Sequence, residues 1–233
     1  MPDVKDLILY EDKSIIVVNK PAGIAVQNSS FGTLDLESML RNYLASSGQG
    51  GDTGRREIPY LAVVHRLDQP VAGVMVFAKT KKAAADLSRQ MQAGMMNKEY
   101  LAVVRKTGSR DLPGGWVTLT DFLLRDGRTN TSRIVPAGTK GAKEAKLSCR
   151  VQKACVRVGE TEGMLLEVRL FTGRHHQIRV QLAGAGMPIL GDRKYGLPEE
   201  KGQLCLAAYR LKFRHPATGR EMEFEAVPAF SGQ

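Results

Sequence analysis

The chain reads YLAVVHRLDQPVAG over residues 60–73, where a guanidinium and a carboxylate meet at a sharp break between two apolar runs. The run before the break is apolar, as in a buried strand, and a Pro and a Gly end regular structure after it. A second apolar run, VMVFA, follows at residues 74–78. We therefore predict a strand, a polar turn and a strand, with Asp68 at the end of the first strand and Arg66 beside it. A solvated surface ion pair is the ordinary alternative for these two side chains.

Length and charge place the chain among globular proteins that bind polyanions. It has 233 residues, of which 42% are hydrophobic and 25% charged, enough to bury a sizeable core. Lys and Arg number 34 against 24 Asp and Glu, and the resulting net charge of +10 favours RNA or DNA as a partner.

The cysteines and the apolar runs indicate a compartment. Three cysteines without a CxxC pair argue against a disulfide framework and against a zinc ribbon, and they fit a reducing cytoplasm. No apolar run approaches the roughly 20 residues that a membrane span needs. We therefore expect neither a signal peptide nor a membrane anchor.

Hydrophobic periodicity predicts a strand-rich chain with few helices. Leucines spaced four apart predict a helix at residues 33–44, and a second helix runs from an N-cap at Thr80 to Gly94. The last strands alternate apolar and polar residues, so one face of their sheet should be wet. Apolar runs between turn residues predict strands at 14–20, 100–104, 116–124, 150–158, 164–171, 204–213 and 221–226.

Two segments are polar throughout. Residues 46–56 are rich in Gly and Ser and predict an exposed loop. Arg55 and Arg56 in that loop are either phosphate contacts or ordinary solvated charge. Residues 125–133 are polar and basic, with no strand predicted there.

A second cluster of polar residues follows the strand predicted at residues 164–171. The chain reads TGRHHQIRVQL over residues 172–182 and opens a helix whose apolar positions lie three or four apart. On that spacing Arg179 points away from the core, together in part with His175 and His176. Basic donors at a helix N-terminus favour anions, although solvated side chains at a helix end are the alternative. A metal site is disfavoured because no carboxylate or Cys stands at ligand spacing from the two histidines.

Four motifs occur together in this chain, and a fifth follows them. In this combination the chain resembles the RluA-type RNA pseudouridine synthases over nearly its whole length. One departure is Val71-Ala72, where that family often has Thr-Ser, so two hydroxyls are missing beside the turn. The motifs are VNKPAG at 18–23, HRLD at 65–68, KEYLA at 98–102, TGRHHQIR at 172–179 and PILGD with YG at 188–196.

The resemblance implies a fold of the α+β class. The expected architecture is a mixed, largely antiparallel central sheet with flanking helices and a central RNA-binding cleft. Residues 1–233 should form one catalytic domain of two intimate halves. No separate N-terminal RNA-binding domain is expected, because the first motif begins near residue 15.

The resemblance also assigns roles position by position. Asp68 matches the catalytic aspartate, and Arg66 matches the arginine that displaces the target base. Tyr100 matches the tyrosine that packs on the base, and Arg179 matches the basic residue that pairs with the aspartate and keeps it ionised. RNA contacts are expected from Arg66 and from His65, Arg174, His176 and Gln177.

The implied reaction converts uridine into pseudouridine. It breaks the bond between the ribose and a base nitrogen and rejoins the uracil through carbon 5, so nothing is oxidised, and neither a cofactor nor a metal is needed. Asp68 attacks the base, attacks the sugar or removes a sugar proton, and all three routes stay open. The expected partner is ribosomal or transfer RNA, and the protein should be a cytoplasmic monomer.

Two functions from other classes compete with this interpretation. A non-catalytic RNA-binding or ribosome-assembly protein is disfavoured by the presence of Asp68, Tyr100 and Arg179. A metal-dependent nuclease would need carboxylates clustered around two ions, and the sequence contains no such cluster.

Overall fold

The computed structural model describes residues 3–27, 34–47, 58–105, 114–199 and 201–231. The chain divides into two compact units. The first comprises Met1–Asn97 and Arg210–Ala226, and the second comprises Lys98–Tyr209 and Val227–Gln233. The arrangement as one catalytic domain stays a prediction. Most of the predicted loop at residues 46–56, including both of its arginines, lies outside the described residues.

The first unit is a small antiparallel sheet with helices. β2 pairs with β1 and with β4, β3 pairs with β4, and β10 pairs with β11. Its elements are α1 (Val4–Leu7), β1 (Ile8–Glu11), β2 (Ile15–Lys20), α2 (Leu36–Ser46), β3 (Ala62–Val63), β4 (Ala72–Ala78), α3 (Lys81–Gln92), the end of β10 (Leu206–Arg214) and β11 (Glu221–Glu225).

The core of this unit forms because β2 and β4 are continuous apolar runs. Apolar residues from these strands pack with Leu87 of α3 and with Leu211 and Phe213 of β10. The two predicted helices are confirmed, as is the predicted N-cap at Thr80, and the structure adds an N-cap at Asp35. Asp35 accepts a hydrogen bond from the Ser38 N–H at 2.8 Å, and Thr80 accepts one from the Ala83 N–H at 3.1 Å.

The second unit is built on a five-stranded antiparallel ladder in the order β5-β9-β8-β6-β7. The hairpin predicted from two adjacent apolar runs is confirmed as β8 and β9. Helix α4 packs through Val180 against Leu123 and Ala145 on one face of this ladder. The elements are β5 (Asn97–Val104), β6 (Val117–Asp126), β7 (Thr131–Val135), β8 (Lys143–Val158), β9 (Thr161–Leu170), α4 (Gln177–Gly184), the start of β10 and a 3-10 turn (Ala229–Ser231).

The α+β class with a mixed, mostly antiparallel sheet and few helices is confirmed. Three local predictions are wrong. The strand predicted around residues 60–64 is reduced to Ala62–Val63, β8 begins at Lys143 instead of residue 150, and β7 lies in the segment read as polar. β7 was missed because it ends the ladder, where short polar strands are common.

The prediction that the last strands expose one face of their sheet to solvent holds only in part. β11 alternates between exposed and half-buried residues, whereas β10 is buried without interruption from Leu206 to Tyr209. In the part of the chain that is described, no helix combines the length and apolar character required to cross a membrane.

Candidate active site and its supporting contacts

Asp68 lies in an irregular turn of the first unit. The Val71 N–H donates to the Asp68 carbonyl at 3.0 Å, which closes a turn over residues 68–71. The turn lies between β3 and β4, so the predicted position at the end of a strand is wrong. Asp68 is half-buried and Arg66 is exposed. The turn therefore presents the guanidinium to solvent and keeps the carboxylate partly shielded.

Side chains from His65 to Leu67 alternate between buried and exposed, and this alternation orients the segment on the sheet. His65 is buried, and its Nε2 accepts a hydrogen bond from the Val76 N–H of β4 at 3.2 Å. Leu67 is buried as well. Inward side chains at 65 and 67 leave the side chain at 66 outward, so His65 orients Arg66. The predicted contact of His65 with RNA stays a prediction.

Lys20 is a residue of this site that the sequence interpretation missed. Its side chain is fully buried at the end of β2, and its Nζ donates to the carbonyls of Pro21, Ile24 and Gln69 at 3.0, 2.7 and 3.1 Å. The three hydrogens of an ammonium group match three acceptors. The available signal was a lysine that ends a run of buried residues directly before a Pro-Ala-Gly turn.

The charge of Lys20 bears on Asp68. Burial lowers the pKa of Lys20 to about 8, and attraction to the Asp68 carboxylate opposes this shift. The same attraction favours the ionised form of Asp68. Gln69, next to Asp68, also accepts from the Gly23 N–H at 2.9 Å and donates from its Nε2 to the Gly23 carbonyl at 3.0 Å. The VNKPAG turn thus holds the Asp68 turn through one neighbouring residue.

In the second unit, Arg179 is buried in α4, contrary to the prediction that it points away from the core. Every residue of this helix from 177 to 182 is buried. Arg179 can be buried because it donates two hydrogen bonds to the Asp192 carboxylate. Its Nε lies 2.8 Å from Oδ2, and its Nη2 lies 2.7 Å from Oδ1. Such two-pronged pairing fixes both position and plane of the guanidinium.

Asp192 is the second residue that the sequence interpretation missed. Its carboxylate also accepts the backbone N–H groups of Lys194 and Tyr195 at 2.9 and 3.1 Å. Burial favours the neutral acid, but the Arg179 guanidinium and these N–H groups outweigh it and lower the pKa of Asp192 below its usual value. The available signal was the PILGD motif, which ends at Asp192, but nothing in that motif indicates pairing with an arginine 13 residues earlier.

Tyr195 connects this ion pair to the two histidines. Its hydroxyl accepts the Ser132 N–H at 2.8 Å and lies 2.7 Å from Nδ1 of His176, to which it can donate. Burial and the charge of Arg179 lower the pKa of His176 to about 3, so its ring is neutral at physiological pH. The Arg179 guanidinium lies 5.1 Å from the centre of the Tyr195 ring, a cation–π distance.

His175 fastens the β6–β7 hairpin to the same place. Its ring stacks on His176 with centroids 3.8 Å apart. Its Nδ1 lies 2.9 Å from Oγ of Ser132, and its Nε2 lies 3.1 Å from Oδ1 of Asn130. The hairpin therefore has side-chain contacts with the start of α4.

Gln177 and Arg174 differ in exposure. Gln177 is buried, accepts from the Thr172 hydroxyl at 2.8 Å and the Arg174 N–H at 3.0 Å, and donates to the Lys146 carbonyl at 3.1 Å. Arg174 is exposed, and its Nε donates to the Glu144 carbonyl at 2.8 Å. Gln177 and His176 thus shape this loop from inside, and RNA contact by all three predicted residues stays a prediction.

Tyr100 lies on β5, opposite Val168 of β9, and is buried to 6% exposure. The structure thus gathers His65, Arg66 and Asp68 around one turn of the first unit. Tyr100 and the network around Arg179 lie in the second unit. Among the described residues, no group of three or more His, Cys, Asp or Glu side chains is placed to hold a metal ion.

Both site motifs fall within one family match. The sequence profile described as RNA pseudouridylate synthase matches residues 14–184, which include HRLD at 65–68 and TGRHHQIR at 172–179. The chain belongs to this family. The match spans well over half of the chain, from the strand before the VNKPAG turn to the end of α4.

Two relatives of the chain support the assignment to this family. The chain is 34% identical to the Escherichia coli K12 protein named ribosomal large subunit pseudouridine synthase C, over 95% of this chain and 66% of that protein. It is 36% identical to an uncharacterized RNA pseudouridine synthase of Aquifex aeolicus, over 94% of this chain and 68% of that protein. The chain thus spans about two thirds of the length of these curated relatives.

Solved structures agree on the fold. Human RNA pseudouridylate synthase domain containing 1 superimposes with a TM-score of 0.75 at 24% identity, covering 99% of this chain and 86% of that one. Human RNA pseudouridylate synthase domain containing 4 gives 0.72 at 24% identity, covering 97% and 92%. At this identity the likeness establishes the fold alone.

Proposed function

We propose that this protein is an RNA pseudouridine synthase that isomerises specific uridines in structured RNA. The observation that carries the proposal is the half-buried Asp68 in the HRLD turn of a family member, beside the buried charge of Lys20. The Escherichia coli relative carries ribosomal large subunit in its name, which favours ribosomal over transfer RNA as the substrate.

The reaction requires an ionised carboxylate and no redox partner. The bond between ribose C1′ and uracil N1 breaks, a bond from C1′ to C5 forms, the C5 proton leaves and N1 gains a proton. Atoms and electrons balance without an oxidant, so no cofactor is part of the proposal. Asp68 serves as nucleophile or as base, and the attraction to Lys20 favours the charged form that either role needs.

Tyr100 and Arg179 complete the proposed catalytic set. Tyr100 packs on the detached uracil and limits access of water to it. Arg179 supplies the positive charge that keeps Asp68 ionised during the reaction. The fixed plane that Asp192 gives to Arg179 supports a role that depends on position.

The remaining assignments concern RNA. Arg66 is exposed in the turn and has the planar group needed to fill the stack after the target uridine leaves it. His65, Arg174, His176 and Gln177 are proposed to shape or contact the RNA around the target. The protein is proposed to act as a monomer in the cytoplasm, where its free cysteines stay reduced.

Release of tritium from carbon 5 of labelled uridine tests the reaction, because the C5 proton must leave. Fragments of large-subunit ribosomal RNA and whole transfer RNA serve as substrates for the purified protein. We expect Asp68→Asn to abolish release while RNA binding survives. The matched control Asp6→Asn, at an exposed carboxylate in α1, should keep full release. Release by Asp68→Asn would exclude Asp68 as the catalytic group, and no release by the unaltered protein on any RNA would favour a non-catalytic RNA-binding protein.

A further inference from the structure

One face of the ladder in the second unit carries a group of exposed side chains that the proposed reaction does not use. Side chains directly opposite each other in an antiparallel ladder share a face. Tyr100 is paired with Val168 and Val168 with Cys149, so these three lie on the buried face. The other face carries exposed side chains at Thr118, Thr120, Lys146, Arg150, Arg169 and Phe171, with Trp116 directly before β6.

Two arginines on this face are held over the Trp116 ring. The guanidinium carbons of Arg150 and Arg169 lie 4.8 and 4.2 Å from the ring centre. Arg150 pairs with Glu167 at 2.6 Å and Arg169 with Glu99 at 3.0 Å, and both glutamates are buried. Each arginine side chain nevertheless remains 45% exposed. The contacts therefore fix the guanidiniums while part of each arginine side chain stays accessible.

The two glutamates are in turn hydrogen-bonded by a buried tyrosine. The Tyr209 hydroxyl lies 3.2 Å from Oε2 of Glu99 and 3.3 Å from Oε1 of Glu167. A buried, hydrogen-bonded anchor of this kind limits the orientations open to the arginines above it.

Phe171 gives the same face an exposed aromatic ring. It is 61% exposed, and the Nζ of Lys146 lies 5.6 Å from its ring centre. Phe171 directly follows β9 and lies two residues after Arg169. Side chains two residues apart along a strand share a face, so the Phe171 ring lies on the face that carries the guanidiniums. The two arginine charges are matched by the two glutamates, and Lys146 leaves the cluster positive.

We propose that this outer face, comprising Trp116, Lys146, Arg150, Arg169 and Phe171, binds an unpaired segment of RNA. Bases stack on the Phe171 ring and on the accessible parts of the two arginine side chains, and Lys146 binds phosphate. Aromatic rings and arginine planes interleaved with cations are the chemistry that single-stranded RNA uses on protein sheets. A docked protein would favour an apolar surface, and only the Phe171 ring is both apolar and widely exposed in this group.

The inference deepens the proposed function because it concerns the same class of partner. The outer face lies on the opposite side of the ladder from Tyr100. An RNA must therefore extend past the target uridine to reach it, which favours a long, folded RNA with unpaired segments as the substrate.

The chain contains one tryptophan, and it lies in the outer face. Trp116 fluorescence is therefore a local reporter of binding. The probe is an unlabelled oligoadenylate of 15 nucleotides, which has no uridine and cannot be isomerised. We expect a saturable change in Trp116 emission. Binding of a labelled copy that is seen by anisotropy while Trp116 emission stays constant would overturn the proposal.

Variants at Phe171 distinguish stacking from apolar contact. Phe171→Leu keeps an apolar side chain without a π-face and should weaken oligoadenylate binding about five- to 100-fold. Phe171→Tyr should bind like the unaltered protein. Unchanged oligoadenylate binding by Phe171→Leu, or an equal loss of binding in Phe171→Leu and Phe171→Tyr, would overturn stacking on Phe171.

A charge-matched pair completes the test. Lys146→Ala should weaken binding, whereas Lys212→Ala should not, because Lys212 lies on β10 of the first unit in an ion pair with Glu223 at 3.0 Å. The same effect from both lysines would mean that the outer face is not the site. Because oligoadenylate contains no uridine, these results stand whether or not the protein isomerises uridine.

Discussion

At the scale of single residues, the buried charges of this protein are held by partners far away in sequence. Lys20 depends on carbonyl groups, one of them 49 residues away, and Arg179 depends on Asp192. In both cases the partners offset the free-energy cost of burying the charge, and the loss of one partner leaves that charge uncompensated. Stability should therefore respond sharply to changes at these positions.

Lys20 should make the stability of the protein depend on alkaline pH. A lysine titrates near 10.4 in an unfolded chain, about two units above the pKa of about 8 that burial gives Lys20 in the folded protein. Between these values the unfolded state binds more protons, so the free energy of unfolding rises with pH. From this group we expect a rise of up to about 3 kcal/mol.

Urea unfolding near both ends of that pH range measures the effect. The unaltered protein should gain stability relative to Lys20→Met as the pH rises, because methionine has no proton to lose. Lys212→Met, at a half-buried lysine that is paired with Glu223, should follow the unaltered protein. Parallel pH curves for the unaltered protein and Lys20→Met would show that the pKa of Lys20 is not lowered.

Asp192→Asn should destabilise the protein because it removes the charge that compensates buried Arg179. Breaking a buried ion pair from one side costs about 3 kcal/mol or more in the free energy of unfolding. The exposed pair of Arg157 and Glu162 provides a control, and Glu162→Gln should cost less than about 1 kcal/mol. Equal costs for the two variants in urea unfolding would contradict the importance of the buried pair.

At the scale of elements, the sequence predicted the helices and strands that contacts between nearby residues stabilise. Helix α3 was predicted because Thr80 caps it and its apolar residues repeat with the helical period. Helix α4 was placed correctly but its exposure was not, because burial of Arg179 depends on Asp192, which follows the helix. Strand β7 was missed because its pairing partner, not its composition, makes it a strand.

The β6–β7 hairpin provides an element-scale prediction. Tyr195→Phe removes the hydroxyl that accepts the Ser132 N–H and contacts His176. An amide that loses its acceptor is easier to open, so hydrogen exchange at Ser132 should accelerate, by roughly tenfold for a loss of about 1.4 kcal/mol. Tyr43→Phe, which removes a hydroxyl bonded to Glu11 in the first unit, should leave Ser132 unchanged. Exchange that is the same in both variants would mean that Tyr195 does not secure the hairpin.

At the scale of the whole molecule, the proposed reaction divides its work between the two units. Asp68 and Arg66 belong to the first unit, and Tyr100 and Arg179 belong to the second. The sequence motifs predicted each residue of this set, because their order along the chain is the family's signature. Lys20 and Asp192 lie in the VNKPAG and PILGD motifs, but their supporting contacts emerged only from the fold, since these contacts join separate turns.

The two arginines should act at different steps on RNA. Arg66 is exposed and is proposed to replace the flipped uridine in its stack, so Arg66→Ala should slow single-turnover isomerisation of a stem-loop far more than that of an unstructured oligonucleotide. The difference should approach the few kcal/mol that unstacking costs. Arg179 is proposed to act on the charge of Asp68, so Arg179→Ala should slow both RNAs by the same factor. Arg157→Ala, at an exposed arginine with no proposed role in the chemistry or in RNA contact, controls for the loss of one positive charge. Equal losses on both RNAs for Arg66→Ala would show that Arg66 does not act by base flipping, while the proposed role of Asp68 would stand.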